Sequence, residues 1–165
     1  MILLTTISVF GQTQKTGYVD SQVILAQYPA AIKAQGDLDA LIKEWQTTLE
    51  TMRGEVQKLY ADYQKQAESM TPEAQQTAQQ TVVAKEREVQ TYYQQKFAQP
   101  GGEVVSKQEE LLAPVKAKIM EAIEAVAKEE KMTFMFDKSG DILLLYADSA
   151  FDMTYKVLDK LKRGK

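Results

Sequence analysis

A chain of 165 residues with 44% hydrophobic and 26% charged side chains, sparse glycine and proline and a net charge of −3 has the composition of a folded protein. Its acidic balance, with a pI of about 5.2, gives no electrostatic case for binding nucleic acid. The absence of cysteine and histidine excludes disulfides, thiol nucleophiles, histidine bases and most zinc sites.

The first eleven residues, Met1 to Gly11, are apolar and uncharged, and Val9-x-Gly11 before Gln12 matches the small-residue pattern of a signal-peptidase site. The segment reads as a secretory signal peptide cleaved near Gly11, although it lacks a basic start. Eleven residues fall short of the about 20 apolar residues that span a bilayer. Residues 15–20 then read as a short strand with Tyr18 and Val19 as its apolar content. Asp20 or Ser21 is a helix cap for Val23, Ile24 and Leu25, and Pro29 suits the first turn of a second helix.

From about Ala30 to Met70 the pattern is that of one long helix. Leu38, Ile42, Trp45, Leu49, Met52, Val56, Leu59 and Tyr63 recur in alternating steps of four and three, the spacing of a coiled-coil seam. Gly36 and Gly54 interrupt the helix and mark either bends or close helix approach. Thr71 caps and Pro72 starts the return helix, which puts the tip of a hairpin near residues 70–72. Residues 64–81 are rich in glutamine and poor in large apolar side chains, so the seam thins at the tip. The apolar pattern returns at Val82, Val89, Tyr93 and Phe97, breaks at Gln99-Pro-Gly-Gly102, and resumes from Leu111 to Val126 despite Pro114.

At Met132 the period changes. Residues 132–137 and 142–147 read as two strands around a turn at 138–141, and Ser149 with Asp152 as the capping box of a final helix. Its cations Lys160, Lys162, Arg163 and Lys165 suit a helix C-terminus. The fold class is therefore α+β and mostly α: a long α-helical hairpin over 30–130, with residues 12–29 and 131–165 forming a small β body. Such a sheet is marginal alone and leaves open edges, so a closed oligomer whose strands share a barrel would solve both problems.

Gly17-Tyr-Val-Asp20, Leu25-x-x-Tyr28-Pro29, Trp45, Lys96-Phe97, Phe136-Asp-Lys-Ser139 and Leu144-Leu-Tyr-Ala-Asp148 occur here in one order. In that order they resemble the Skp/OmpH family of periplasmic chaperones over about Lys15 to Lys162. The resemblance implies a homotrimer shaped like a jellyfish, with three helical tentacles on a shared β-barrel body. It also implies ATP-independent holding of unfolded outer-membrane β-barrel proteins in the periplasm, with no cofactor. Well-known members are basic, whereas residues 30–98 here carry 8 basic and 10 acidic side chains and the remainder 12 and 13. That acidity argues against contact with lipopolysaccharide or anionic membrane surfaces.

On this reading the seam residues are core, with Trp45 anchoring the base of the arm. The off-seam aromatics Tyr60 and Tyr92, with Met70 at the tip, are the candidates for client contact. Tyr18, Val19, Phe134, Phe136, Leu143 and Leu145 are expected to build the trimeric body. The carboxylate pairs Glu109-Glu110, Glu129-Glu130 and Asp137 with Asp141 read as solvated faces or a turn, and no phosphate-binding loop is present. No residue set supports an enzyme. The competing reading is an envelope coiled-coil scaffold without chaperone activity.

Overall fold

The computed structural model describes residues 14–140 and 144–164. The expected signal segment, Asp141 and Leu143 lie outside these residues. Two strands, β1 (Thr16–Val19) and β2 (Phe134–Asp137), accompany five helices: α1 (Ser21–Gln27), α2 (Pro29–Gln66), α3 (Pro72–Phe97), α4 (Glu103–Glu129) and α5 (Thr154–Arg163). Short 3₁₀ turns occupy Ala67–Ser69 and Ser149–Phe151. The fold is mostly helical with a small two-stranded sheet. The chain divides into two compact units, Ala30–Val115 and the segments on either side of it.

The unit built from the two chain ends centres on β1. Strand β2 runs parallel to it, with Thr16 opposite Phe134 and Val19 opposite Asp137. The other side of β1 is also used, since the Met153 amide donates to the Tyr18 carbonyl at 2.8 Å and Tyr18 bridges to Asp152. Tyr18, Val19, Ile24, Ile119, Ala122, Val126, Met153, Val157 and Leu158 are buried. The expected second strand of a hairpin with β2 does not form over 144–147, where the backbone has no regular structure. The turn residues explain part of this. Asp137, Lys138 and Ser139 direct their polar groups toward β1 and α1 instead of closing a hairpin, leaving 144–147 without a partner strand among the described residues.

The final helix also starts differently from the expected capping box. Asp148 accepts from the Ala150 amide and so caps the 3₁₀ turn, and α5 begins only at Thr154, whose amide donates to Asp152 at 2.9 Å. The C-terminal cations do more than face the helix dipole. Lys156 and Lys160 pair with Glu130 and Glu129 at the end of α4, while Arg163 pairs with Asp159 one turn back. The Lys156 ammonium, hydrogen-bonded to Glu130, lowers that carboxyl from its ordinary value against the opposing effect of burial.

In the other unit, α2 and α3 lie antiparallel. Tyr63 faces Gln79, whose Nε2 donates to the tyrosine hydroxyl at 2.6 Å, and Trp45 faces Phe97. The tip is closed by hydrogen bonds: Thr71 accepts from the Ala74 amide, and Gln75 donates to the Ala67 carbonyl at 2.6 Å. The break after α3 falls where the sequence places it, at 98–102. Gly102 is required there, because a Cβ would lie 2.7 Å from both the backbone nitrogen and oxygen of Ala98. Helix α4 continues through Pro114.

Gly36 and Gly54 are not sites of close approach, since nothing lies within 4 Å of where a Cβ would stand. Replacing either by alanine is expected to raise stability by up to about 1 kcal/mol, as for an exposed helix interior. Thermal unfolding followed by circular dichroism checks this, and a lowered midpoint would mean that these faces are covered in solution.

Asp137 ties the sheet to α1. Its carboxylate accepts from the Ser21 amide at 3.1 Å and hydroxyl at 2.5 Å, and from the Ser139 amide at 3.0 Å and hydroxyl at 2.7 Å. Burial pushes this carboxyl up, but the hydrogen bonds from Ser21 and Ser139 together outweigh it and hold it below its ordinary value. A carboxyl depressed in the folded state contributes stability that is complete above its unfolded value, near pH 4, and is lost as pH falls through the folded value. Asp137→Asn should therefore cost about 1–3 kcal/mol at neutral pH and flatten the fall of the melting midpoint below about pH 4. Melting curves across that range test the assignment; an unchanged acid-side slope would contradict it.

Candidate functional site

The α2–α3 hairpin is the first candidate surface. Along α2 the expected seam residues all face inward, but unequally. Leu38, Trp45 and Leu49 are buried, whereas Ile42, Met52, Val56, Leu59 and Tyr63 are only half-buried. The inward positions of α3 are Gln75, Ala78, Val82, Lys85, Val89, Tyr92 and Lys96, again in steps of three and four, and of these only Val82 is buried. The reason is plain in the sequence. Four of the seven are Gln, Ala or Lys, which cannot cover the apolar side chains opposite them.

This seam exchanges the roles expected for two neighbouring aromatics. Tyr92 occupies a seam position and is half-buried, while Tyr93 lies off it with 43% of its surface exposed. Tyr60 is off the seam as expected, 52% exposed, and Met70 is half-buried at the tip. The seam missed on sequence was legible by extending the 3.5-residue period from Val82 and Val89 to Tyr92 and Lys96.

At the end of the hairpin away from the tip, Trp45 is held by a cluster rather than by apolar packing alone. The Phe97 ring meets it edge-on with centroids 6.4 Å apart, and Tyr93 stacks on Phe97 at 5.7 Å. The Lys96 ammonium lies 4.7 Å from the Trp45 ring centroid and 5.8 Å from that of Tyr92, and pairs with Glu103 at 2.6 Å. A cation over aromatic faces contributes about 0.5–2 kcal/mol, so Lys96 fastens both sides of the 98–102 break to the Trp45 site. Its role was not apparent from sequence, where Lys96 is simply one charge on a long helix.

The second surface is the outer edge of β2 with the segment that follows it. Phe134 and Phe136 stack at 6.3 Å and are 49% and 38% exposed. Leu145 and Tyr146 are more than four-fifths exposed, and Phe151 and Tyr155 are exposed as well. Tyr18 and Val19 are instead buried within the unit. Tyr18 is packed beside Asp152, and burial followed by that carboxylate raises its hydroxyl above the ordinary value. Two of the segments noted above, Gly17–Asp20 and Phe136–Ser139, meet at this strand end. The Lys138 amide donates to the Val19 carbonyl, the Asp20 amide donates to the Thr154 hydroxyl at 2.9 Å, and Lys138 pairs with Asp20 at 3.4 Å.

The helical carboxylate pairs do not converge, and Asp141 lies outside the described residues. Glu110 pairs with Lys107, and Glu129 and Glu130 with lysines of α5. Among the described residues no group of three or more acidic side chains could hold a metal ion. No described helix is long and apolar enough to cross a membrane.

No curated protein matches its sequence. Its fold is similar to the crystal structure of a candidate outer membrane chaperone (OmpH-like) from Caulobacter crescentus CB15, with a TM-score of 0.80 over 99% of this chain and 92% of that one, at 16% sequence identity. The family model for outer membrane protein (OmpH-like) matches residues 15–161. That span takes in both strands and both candidate surfaces, and the chain belongs to the OmpH-like family.

Proposed function

We propose that this protein is an ATP-independent periplasmic holdase that binds unfolded outer-membrane β-barrel proteins and keeps them from aggregating. The observation that carries this reading is the incomplete seam of the α2–α3 hairpin. Apolar side chains spaced for a coiled coil are only half-buried from Met52 to Tyr63, where α3 sets the shorter Ala78, Val82 and Val89 and the charged Lys85 against them. A helix pair that served only as a rod would bury this surface. Weak, distributed apolar contacts suit a client with no fixed shape, and they exchange fast enough to let it go. Membership of the OmpH-like family and the likeness to a candidate outer membrane chaperone support the same reading.

The body is proposed to be a homotrimer. Among the described residues the outer edge of β2 is unpaired, the Phe134–Phe136 pair lies exposed beside it, and Leu145 and Tyr146 stand in water on a segment with strand-like composition. Pairing 144–147 with a strand of a neighbouring protomer would cover these groups and remove the edge.

Two experiments test these proposals. Light scattering from a urea-unfolded outer-membrane β-barrel protein diluted into nucleotide-free buffer should fall to near baseline at about one trimer per client. Undiminished aggregation across a wide excess would favour an envelope coiled-coil scaffold instead. Sedimentation equilibrium should give three times the chain mass, and Leu145→Asp with Tyr146→Asp should shift it toward the monomer. A stable monomer of the unaltered chain would rule out the shared body.

A further inference from the structure

The two flanks of the α2–α3 hairpin are chemically different. In an antiparallel helix pair, residues one step after a seam position fall on the same flank for both helices, and residues one step before fall on the other. Two hollows locate the flanks. Arg53 and Gln57 of α2 line one with Glu86 of α3, over a floor of Val56 and Val89. Ala84, Glu88, Thr91 and Gln95 of α3 line the other with Met52.

From Trp45 to Phe97 the exposed large apolar side chains are Tyr60, Val83 and Tyr93. All three stand one step after the seam residues Leu59, Val82 and Tyr92, on the flank of the Val56–Val89 hollow. Gln57, Gln76, Gln79 and Gln90 occupy the same flank. Its charges are Glu50, Arg53 and Glu86, of which Arg53 and Glu86 share one hollow and offset each other. The opposite flank has no exposed large apolar residue. It carries Glu55, Asp62 and Glu88 against Lys58, with Arg87 lining its hollow and Thr48, Thr51, Thr77, Thr81 and Thr91 between them.

We infer that the flank bearing Tyr60, Val83 and Tyr93 is the client-binding face of the arm, and that its occupant is a near-neutral, extended polypeptide segment with apolar residues at alternate positions. The inference rests on the holdase reading and specifies it. The spacing fits such a chain. Tyr93, Val89 and Val83 are separated by about 6 and 9 Å along the helix axis, close to the about 7 Å between same-side residues of an extended strand. The glutamine amides, each with donors and an acceptor, match the peptide groups such a strand leaves unpaired. Charge contributes little on this face, so binding should depend weakly on ionic strength.

The test compares two triple variants of the full-length chain. Tyr60→Lys, Val83→Lys and Tyr93→Lys add three charges to the proposed face, and Thr48→Lys, Thr51→Lys and Thr91→Lys add the same three to the other. Helicity is checked by circular dichroism, and affinity is read from a fluorescently labelled, urea-unfolded outer-membrane β-barrel protein. The first triple should raise the dissociation constant about tenfold or more, while the second stays within about twofold. Equal losses, or loss in the second triple alone, would overturn the face assignment and leave the holdase reading standing. An unaltered protein that does not bind would overturn both. If the first triple does not fold, a photo-crosslinking residue at position 60 or 93 should capture client, and one at 51 or 91 should not. Capture of client from 51 or 91 but not from 60 or 93, or crosslinks from 60 and 93 only to another copy of this chain, would reject the inference.

Discussion

The parallel pairing of β1 with β2 is the constraint on which the rest depends. Parallel strands cannot be joined by a tight turn and need a crossover, and here the crossover takes in helices α1 to α4. Ser21 and Asp137, which hydrogen-bond across the strand end, are 116 residues apart in sequence. Closing so long a loop costs chain entropy that a two-stranded sheet cannot offset alone. The surrounding contacts supply the remainder. Asp137 binds Ser21 and Ser139, Thr154 accepts from Asp20, and Lys156 and Lys160 hold the acidic end of α4 to α5.

This explains why the residues around the sheet are polar although they are partly buried. Asp137 and Thr154 accept from backbone amides just beyond the strands, those of Ser21, Ser139 and Asp20, and no buried side-chain nitrogen or oxygen lacks a partner among the described residues. The apolar groups were given a different fate. Ile24, Val157 and Leu158 fill the small core, while Phe134, Leu145 and Tyr146 remain outside it. The body thus satisfies its polar groups internally while leaving apolar side chains uncovered among the described residues.

How much of this the sequence disclosed depended on how local the signal was. The N-caps at Asp20 and Thr71, the start of α2 at Pro29 and the break at 98–102 are decided by a few adjacent residues, and all were legible. So was the α2 seam, since eight large side chains repeat it. The α3 seam was harder, because Gln, Ala and Lys at inward positions do not look like core; two adjacent tyrosines, Tyr92 and Tyr93, then invited the wrong choice. The strand expected at 142–147 failed at 144–147 for a different reason. Its composition is that of a strand, but a strand exists only with a partner, and composition does not say which chain provides one. The family was legible from short segments, of which Gly17–Asp20 and Phe136–Ser139 meet at one strand end and Trp45 meets Lys96-Phe97 within the hairpin. No single segment revealed why they go together.

The register of the hairpin limits how such an arm can change length. Every residue gained along α2 faces one lost along α3, as Tyr63 faces Gln79 and Trp45 faces Phe97. An insertion in one helix alone would slide every inward side chain past its neighbour. Only matched insertions on both sides of the tip keep the pattern, and only in blocks of seven do they return the same faces to the same flanks. Arm length in proteins built this way should therefore vary in quanta of about 10 Å, with the reach of the arm set by counting heptads rather than residues.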